Sequence, residues 1–205
     1  MITDSTSKDQ EIFNKDNLQI ITERVDDVPL LIAQMVRMGL PEIIDRHIPR
    51  HANQRDLSWG WTTVIWMAYI LSEGDHRKVS MSEYVKGMRH TLFSITGWQI
   101  VALDFSDDRL AHLLKHLSNR EYWSKIEEDL NKQSIEVYDL KPETIRCDAT
   151  TVSADQVITE DGLVQFGHSK DNTKLPQIKL MSAALDPLGM PLASDVVSPL
   201  CQVSG

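Results

Sequence analysis

The chain has 205 residues, a formal net charge of −9 at pH 7 and a charged fraction of 25%. This length suits one large domain or two small ones, and the ordinary apolar content allows a sizeable core. The acidic balance gives no overall support for nucleic-acid binding, although a local basic patch can outweigh it. Two cysteines provide neither a disulfide framework nor a zinc quartet, which indicates a reduced, intracellular protein.

The first 140 residues predict a polar leader followed by a helical domain. Residues 1–24 have no apolar signal-peptide core, and we expect them to be disordered. The segment "WGWTTVIWMAYILS" is apolar almost all round, so it should be the buried centre of a helical bundle. Caps and prolines predict the helix starts, which are Asp26 or Asp27, Pro41, Ser58, Ser80, Ser106 or Asp107, and Ser118.

After Leu140 the pattern changes from helical to strand-like, which places a domain boundary near residues 139–143. Residues 143–198 predict an antiparallel β-meander, and "DPLG" has the residue preferences of a type I turn between its last two strands. A short additional strand is expected at residues 163–166. Three strands make a small sheet whose inner face needs a cover, so the part from residue 141 to 205 is expected to be incomplete.

An aspartate stands in the middle of the first predicted strand, in "ETIRCDATTVSADQ". Strand interiors select against Asp, so Asp148 is expected to be paired, at an edge, or kept for chemistry. Because side chains alternate along a strand, Arg146 and Asp148 share a face, and a surface ion pair between them is the purely structural alternative. Cys147 points to the other face and is expected to be a small buried hydrophobe.

The stretch "IRCDATTVSA", followed by "FGHSKDNTKLPQIKLMSAALDPLGMPLASDVVS", resembles the start of the catalytic domain of bacterial insertion-sequence transposases of the DDE type. In that family the first catalytic Asp lies on the first strand in a D-x-T/S-T/S setting, which Asp148 matches. The helical segment "GLPEIIDRHIPRHANQRDLSWG" resembles the N-terminal domain of one branch of these transposases. The family's G-x-S-K-D element and its D-x-x-G-x-P-L turn match Gly167, Ser169, Lys170, Asp171, Asp186, Gly189, Pro191 and Leu192.

The resemblance implies a ribonuclease-H-like domain and an α+β chain, with a helical domain over residues 25–140. It also implies that Asp148 is catalytic and binds Mg²⁺ or Mn²⁺. Two such ions activate and stabilise the reacting oxygens, and they need two Asp and one Glu or Asp together. The family's second Asp and its Glu come later than this chain extends, and Asp195 is the one plausible stand-in. We therefore expect a truncated transposase that is inactive and does not hold the metal stably.

DNA at transposon ends is the partner that the resemblance implies, together with a second copy or a full-length transposase, in the cytoplasm at the bacterial nucleoid and without a membrane partner. The alternative is a non-catalytic regulator of transposition that binds DNA or dimerises. Two histidines, His112 and His116, have i, i+4 spacing but no evident third metal ligand, so solvated helix residues are expected. Candidates for phosphate contacts, with plain solvated loops as the alternative, are Arg46, Arg50, Arg55, Lys170 and Lys174.

Overall fold

A computed structural model describes residues 20–50, 57–141, 143–167, 174–186 and 188–200. Within these residues, seven α-helices precede a three-stranded antiparallel sheet, so the predicted order of a helical part followed by a β-meander is confirmed. None of the described helices combines the length and the apolar character that crossing a membrane requires. Most of the predicted polar leader, residues 1–19, lies outside the described residues.

The helices largely follow the apolar periodicity of the sequence. A 3₁₀ turn, Ala102–Phe105, precedes the sixth α-helix. The α-helices are α1 (Val28–Arg37), α2 (Leu40–His47), α3 (Trp59–Glu73), α4 (Lys78–Gly87), α5 (Arg89–Thr96), α6 (Asp107–Leu117) and α7 (Arg120–Val137).

The predicted helix caps are only partly right. Ser58 caps α3 as predicted, because its hydroxyl oxygen accepts a hydrogen bond from the Trp61 N–H at 3.3 Å. The predicted starts at Ser80 and Ser118 are wrong. Helix α4 begins two residues before Ser80. Helix α7 is capped by Asn119, whose side-chain oxygen accepts from two backbone N–H groups of the first turn.

Helix α5 is not among the predicted elements, and its N-terminal hydrogen bonds explain why. The Glu23 carboxylate accepts hydrogen bonds from the backbone N–H groups of His90 (3.0 Å) and Thr91 (2.7 Å), in the first turn of α5. Burial raises the pKa of Glu23, but these hydrogen bonds lower it by more, so its pKa lies below the ordinary value. The groups that satisfy the start of this helix come from a distant part of the chain, and no local motif announces them.

Helix α3 is the buried centre of the helical part, as its all-round apolar character predicted. Nine of its residues are buried, and it packs against α1 and α2. The same core cluster continues through α4, α5, α6 and α7, with fully buried side chains such as Met81, Leu92 and Leu113. The helices therefore share one hydrophobic core rather than two.

Helices α2 and α3 approach each other more closely at Gly60 than any side chain would allow. A Cβ added to Gly60 would lie 2.1 Å from the carbonyl oxygen of Pro41. The Gly60 N–H also donates a hydrogen bond to Asp45 Oδ1 at 2.7 Å. This bond satisfies one of the N–H groups that the first turn of a helix leaves without a partner. Glycine is thus required at this position by contact distance.

The sheet consists of β1 (Ile145–Ser153), β2 (Gln177–Leu185) and β3 (Met190–Val197), in the order β1-β2-β3. The strand expected at residues 163–166 is reduced to a single bridge between Gln165 and Gln177. In β3, Ala193 pairs with Ala183 while Pro191 pairs with Ala184, so Leu192 is an extra residue in a β-bulge.

Helix α7 joins the sheet to the helical part by satisfying the outer edge of β3. Glu127 Oε1 accepts hydrogen bonds from the Ser194 backbone N–H (2.7 Å) and hydroxyl (3.0 Å). The Asn131 side-chain amide donates to the carbonyl oxygen of the bulged Leu192. Edge strands expose unpaired backbone groups, and here the polar side chains of a helix satisfy them.

Strand β1 is exposed at every position except Thr151, which is half-buried. The expectation that Cys147 is buried is therefore wrong, since its thiol is free and exposed. The prediction assumed that one face of β1 packs on a core, whereas the core described above lies among the helices. Only Gln177 and Leu185 of β2 are buried, one at each end of that strand.

The contact at Gly60 predicts that Gly60→Ala destabilises the fold by about 2–3 kcal/mol, because the new methyl group forces α2 and α3 apart. The measurement is urea unfolding followed by circular dichroism. Gly87→Ala in α4 is the matched control, since an added Cβ there meets nothing within 4 Å. It should be neutral or stabilising by up to about 1 kcal/mol. Equal stability of Gly60→Ala and wild type would contradict the close approach.

Candidate functional site

Asp148 lies near the middle of β1, where it pairs with Ser182 of β2. Its side chain is exposed, and Oδ1 accepts a hydrogen bond from the N–H of the next residue, Ala149, at 2.8 Å. At the two ends of β1, the Ala154 N–H and the Thr144 carbonyl oxygen form hydrogen bonds with backbone groups next to β2. Backbone direction alternates along a strand, so the N–H and C=O groups of the even-numbered residues of β1 point toward β2. The Ala149 N–H therefore points to the free edge of the sheet, and Asp148 satisfies it there.

Asp195 makes the same contact on the opposite edge strand, β3. Its Oδ1 accepts a hydrogen bond from the Val196 N–H at 2.9 Å. The backbone groups of Ser194 and Leu192 face α7, so the Val196 N–H lies on the outer edge of β3 as well. On each outer edge of the sheet, an Asp carboxylate thus accepts a hydrogen bond from the N–H of the following residue, which would otherwise be unpaired within the sheet. Charged side chains that block edge N–H groups oppose pairing with another strand.

The cross-strand register separates these two carboxylates. Asp148 is level with Ser182 and Ser194, and residues that pair directly across strands point to the same face. Asp195 is level with Met181 and Ala149, so it points to the opposite face. Asp195 also lies 3.6 Å from Arg120 of α7. It cannot share a metal ion with Asp148 in this arrangement.

The ion pair considered between Arg146 and Asp148 is replaced by a different one. Arg146 Nε lies 2.6 Å from Asp186 Oδ2, at the turn between β2 and β3. Arg146 is paired with Ala184 near the end of β1, which brings it close to that turn. Asp148 therefore keeps its backbone contact with Ala149 but does not gain the arginine.

The described residues do not fit a two-metal centre. Among them, no three His, Cys, Asp or Glu side chains are arranged so that they could hold a metal ion. A Mg²⁺ or Mn²⁺ pair needs several oxygen ligands around both ions. The described residues therefore do not assemble the set of three carboxylates that the family resemblance implies.

Arg46, one of the candidate phosphate-binding residues, is held in a contact between α2 and α7. Its Nη1 lies 2.7 Å from Asp129 Oδ2, and His47 Nε2 donates to the same oxygen at 2.8 Å. The hydrogen bond from His47 lowers the pKa of Asp129 most, burial opposes it, and the bond from Arg46 lowers it further. Arg46 remains well exposed, but its guanidinium is already paired with a carboxylate.

The other candidate basic residues lie in different elements. Arg50 is exposed just after α2, and Lys174 is exposed shortly before β2. Arg55 and Lys170 lie outside the described residues. Arg46 and Arg50 thus belong to the helical part and Lys174 to the sheet, with α7 as the helix that contacts both α2 and β3.

The two histidines of α6 have different surroundings. His112 is exposed, whereas the His116 ring lies 5.5 Å from the Trp59 ring and 6.3 Å from the Tyr122 ring. Burial lowers the pKa of His116, and the charges of His112 and Lys115 add to this effect. The expectation of two solvated histidines is confirmed for His112 but not for His116, which packs at the edge of the core.

Gly167, which opens the G-x-S-K-D element, has a packing reason to be glycine. A Cβ added to it would lie 2.4 Å from Pro199 Cβ. The Gln177 side chain donates to the Gly167 carbonyl oxygen at 3.3 Å, which holds this segment against the start of β2. Spacing alone singled out this glycine, and its contact with the distant Pro199 could not be read from sequence.

Comparison of the chain with protein-family models, with curated proteins and with solved structures found no significant match.

The edge contacts of Asp148 and Asp195 predict a reciprocal result in amide hydrogen exchange. Asp148→Ala should raise the exchange rate of the Ala149 amide several-fold and leave Val196 unchanged, because only one acceptor is removed. Asp195→Ala should do the opposite, so each variant is the control for the other. Unchanged Ala149 exchange in Asp148→Ala would show that the carboxylate does not protect this N–H.

The contact of Asp129 with His47 and Arg46 predicts an acid-dependent contribution to stability. A carboxyl with a lowered pKa stabilises the fold above its unfolded pKa, here near 3.8, and this contribution is lost as the pH falls through the folded value. Asp129→Asn should therefore lose about 1 kcal/mol at pH 7, and its difference from wild type should shrink toward about pH 2. Urea unfolding at a series of pH values measures both quantities.

The control for this experiment is Glu136→Gln, which removes an exposed carboxylate from the same helix. It should change stability by less than about 0.5 kcal/mol at either pH. A difference between wild type and Asp129→Asn that does not change with pH would contradict the assigned role of the carboxylate.

Proposed function

We propose that this chain belongs to the lineage of DDE-type insertion-sequence transposases. Its helical part would contact the DNA of the element, and its sheet would be the opening meander of a ribonuclease-H-like catalytic domain. The 205-residue chain is proposed to lack strand-transfer activity. The observation that carries this proposal is the position of Asp148, an exposed carboxylate near the middle of the first strand of an antiparallel meander.

The order of elements supports this lineage. A helical domain comes first, the strand with the D-x-T/S-T/S setting follows, and the meander then turns at the D-x-x-G-x-P-L segment. An Asp on a strand is positioned by the hydrogen-bonded ladder on one side of that strand, which is a suitable support for a metal ligand. The same carboxylate accepts the Ala149 N–H, and a metal ion would compete with that bond.

The proposed lack of activity follows from the ligand set. Phosphodiester cleavage by two metal ions needs a cluster of carboxylates, and the described residues hold no group of three possible metal ligands. Asp195, the one stand-in, points to the other face of the sheet. Without such a cluster, Asp148 would not hold the pair of ions that positions an attacking oxygen against a phosphate.

DNA contact is proposed for the exposed basic residues Arg46 and Arg50, with Lys174 as a further candidate. Cationic side chains that neutralise phosphates release counterions, so their contribution falls as salt rises. The net charge of −9 means that this contact has to be local. The second candidate function, a non-catalytic regulator that binds the same DNA, is favoured because the described residues hold no group of three possible metal ligands.

The DNA-binding proposal is tested by fluorescence anisotropy with a labelled mixed-sequence duplex of about 30 base pairs. We expect binding at roughly 50 mM salt that weakens steeply by roughly 200 mM. Arg50→Ala should reduce the slope of log affinity against log salt by about one, because one phosphate contact is lost. Arg89→Ala, on α5, removes the same charge elsewhere and should leave the slope unchanged. Absence of binding at low salt would overturn the DNA-contact proposal.

A nicking assay on supercoiled plasmid with Mg²⁺ or Mn²⁺ tests the proposed lack of activity. We expect no nicking by the wild-type chain. Nicking that disappears in Asp148→Asn would overturn this part of the proposal, whereas nicking that the variant retains would point to a contaminating nuclease. The lineage itself is tested by translating the DNA that follows codon 205 in all three frames. A second Asp and a Glu in one frame support it, and their absence favours the regulator.

A further inference from the structure

A cavity of about 270 Å³ lies between the C-terminal ends of α1 and α7, and we refer to it as the α1–α7 cavity. Arg37 is the last residue of α1, Val137 is the last residue of α7, and both line the cavity. Gln133, which also lines it, packs over the turn between α1 and α2, 3.2 Å from where a Cβ on Gly39 would lie. The volume is just below the range of roughly 300–1,000 Å³ that is usual for small-molecule sites, so the cavity suits a small ligand.

Arg37 distinguishes this cavity from the rest of the surface. Among the described residues that line the cavity, it is the only charged one. Each of the other arginines that the structure describes interacts with another group, as Arg46 does with Asp129 and Arg77 with Asp75. Arg37 has no hydrogen-bond or ion-pair partner in the described part of the chain. In a chain with 30 acidic and 21 basic side chains, this guanidinium keeps its donors available to a ligand.

The neutral polar side chains around the cavity are available in the same way. On the preceding turns of α7, Asp129 bonds to α2 and Asn131 bonds to β3. The side chains of Gln133, Ser134 and Tyr138 line the cavity and form no hydrogen bond with any other described residue. Helix α7 thus uses its earlier polar side chains for contacts within the fold, whereas those at the cavity can bond to a bound molecule.

The remaining features of the cavity indicate the class of ligand. Apolar side chains contribute to its lining, with Leu130 half-buried and Val137 exposed. Two helices end here, and a helix carries partial negative charge at its C-terminal end, which opposes a doubly charged anion such as phosphate. One guanidinium balances one negative charge, and its planar fork matches the two oxygens of a carboxylate. The lining therefore fits a singly charged carboxylate with an apolar body.

We propose that the α1–α7 cavity binds a small carboxylate whose apolar body lies against Leu130 and Val137. Arg37 binds the two carboxylate oxygens, and the neutral polar side chains of α7 and Tyr138 bond to the other polar groups of the ligand. Such a ligand contacts α1 and α7 together, so it stabilises the folded helical part in proportion to its occupancy. The inference depends neither on the proposed DNA contact nor on the proposed lineage.

An NMR titration of the ¹⁵N-labelled chain with sodium benzoate tests the proposal, with neutral benzamide as the probe of the same shape at the same ionic strength. We expect benzoate to shift the backbone amide signals of Ser134, Val137 and Tyr138 saturably, with a dissociation constant in the low millimolar range that suits so small a ligand. Benzamide should bind about tenfold more weakly, because it cannot form the charge-assisted bonds with Arg37. Inorganic phosphate, the third probe, should also bind more weakly than benzoate.

Variants separate the role of the guanidinium from that of the cavity. Arg37→Gln should bind benzoate no more tightly than benzamide. Arg89→Gln, which removes the same charge from α5, is the matched control and should leave both affinities unchanged. Ser134→Leu keeps Arg37 but fills part of the cavity, so it should weaken the binding of both probes several-fold. Circular dichroism should show wild-type helix content for all three variants, since both arginines are exposed and leucine has a higher helix propensity than serine.

Four results would overturn the inference. The first is the absence of saturable shifts at these amides with benzoate. The second is equal affinity for benzoate and benzamide, or a preference for benzoate that Arg37→Gln retains, because Arg37 would then not be the partner of the carboxylate. The third is tighter binding of phosphate than of benzoate. The fourth is unchanged binding by Ser134→Leu, which would place benzoate outside the cavity. DNA binding is measured in a separate assay, so failure of either proposal leaves the other standing.

Discussion

The contact between Gly60 and Pro41 is the constraint on which the helical part depends. Helix α3 is the buried centre of the core, and its first turn lies against the backbone of α2 at a distance that only glycine permits. The Asp45 carboxylate accepts the Gly60 N–H, so the same contact that brings the helices together also satisfies a helix end. The remaining helices complete a core around α3, and the position of α2 then determines which residues of α7 can reach it.

Helix α7 connects the helical part to the sheet. Its Asp129 contacts Arg46 and His47 of α2. Its Glu127 and Asn131 form hydrogen bonds with backbone groups at the edge of β3. The contacts are polar, and they lie at the edge of the sheet rather than across its face. The sheet is therefore attached along one strand, which leaves β1 at the far side with an exposed surface. This exposure makes Asp148 accessible to solvent, and it also accounts for the exposed thiol of Cys147.

Asp148 shows how far the candidate site could be predicted. Its place on a strand, its accessibility and its lack of a core partner are compatible with the role that the resemblance implies. The sequence also led to Asp195 as the stand-in ligand, and here register decides against it, because one residue of offset turns a side chain to the other face. The basic residues were also predicted only in part. Arg46 is exposed as expected, but its partner Asp129 lies 83 positions along the chain and could not be identified from spacing.

The order of elements was predictable from the sequence: helices through residue 137, then three strands that match the predicted meander. This was possible because helix and strand periodicities are local properties of the chain. The pairing of polar groups, by contrast, follows from the three-dimensional arrangement of the elements. The carboxylates of Glu23 and Asp45 accept backbone N–H groups at the starts of α5 and α3. Arg146 pairs with Asp186 and not with Asp148. Each of these contacts joins residues at least 15 positions apart, so it depends on how whole helices and strands pack or pair rather than on any short motif.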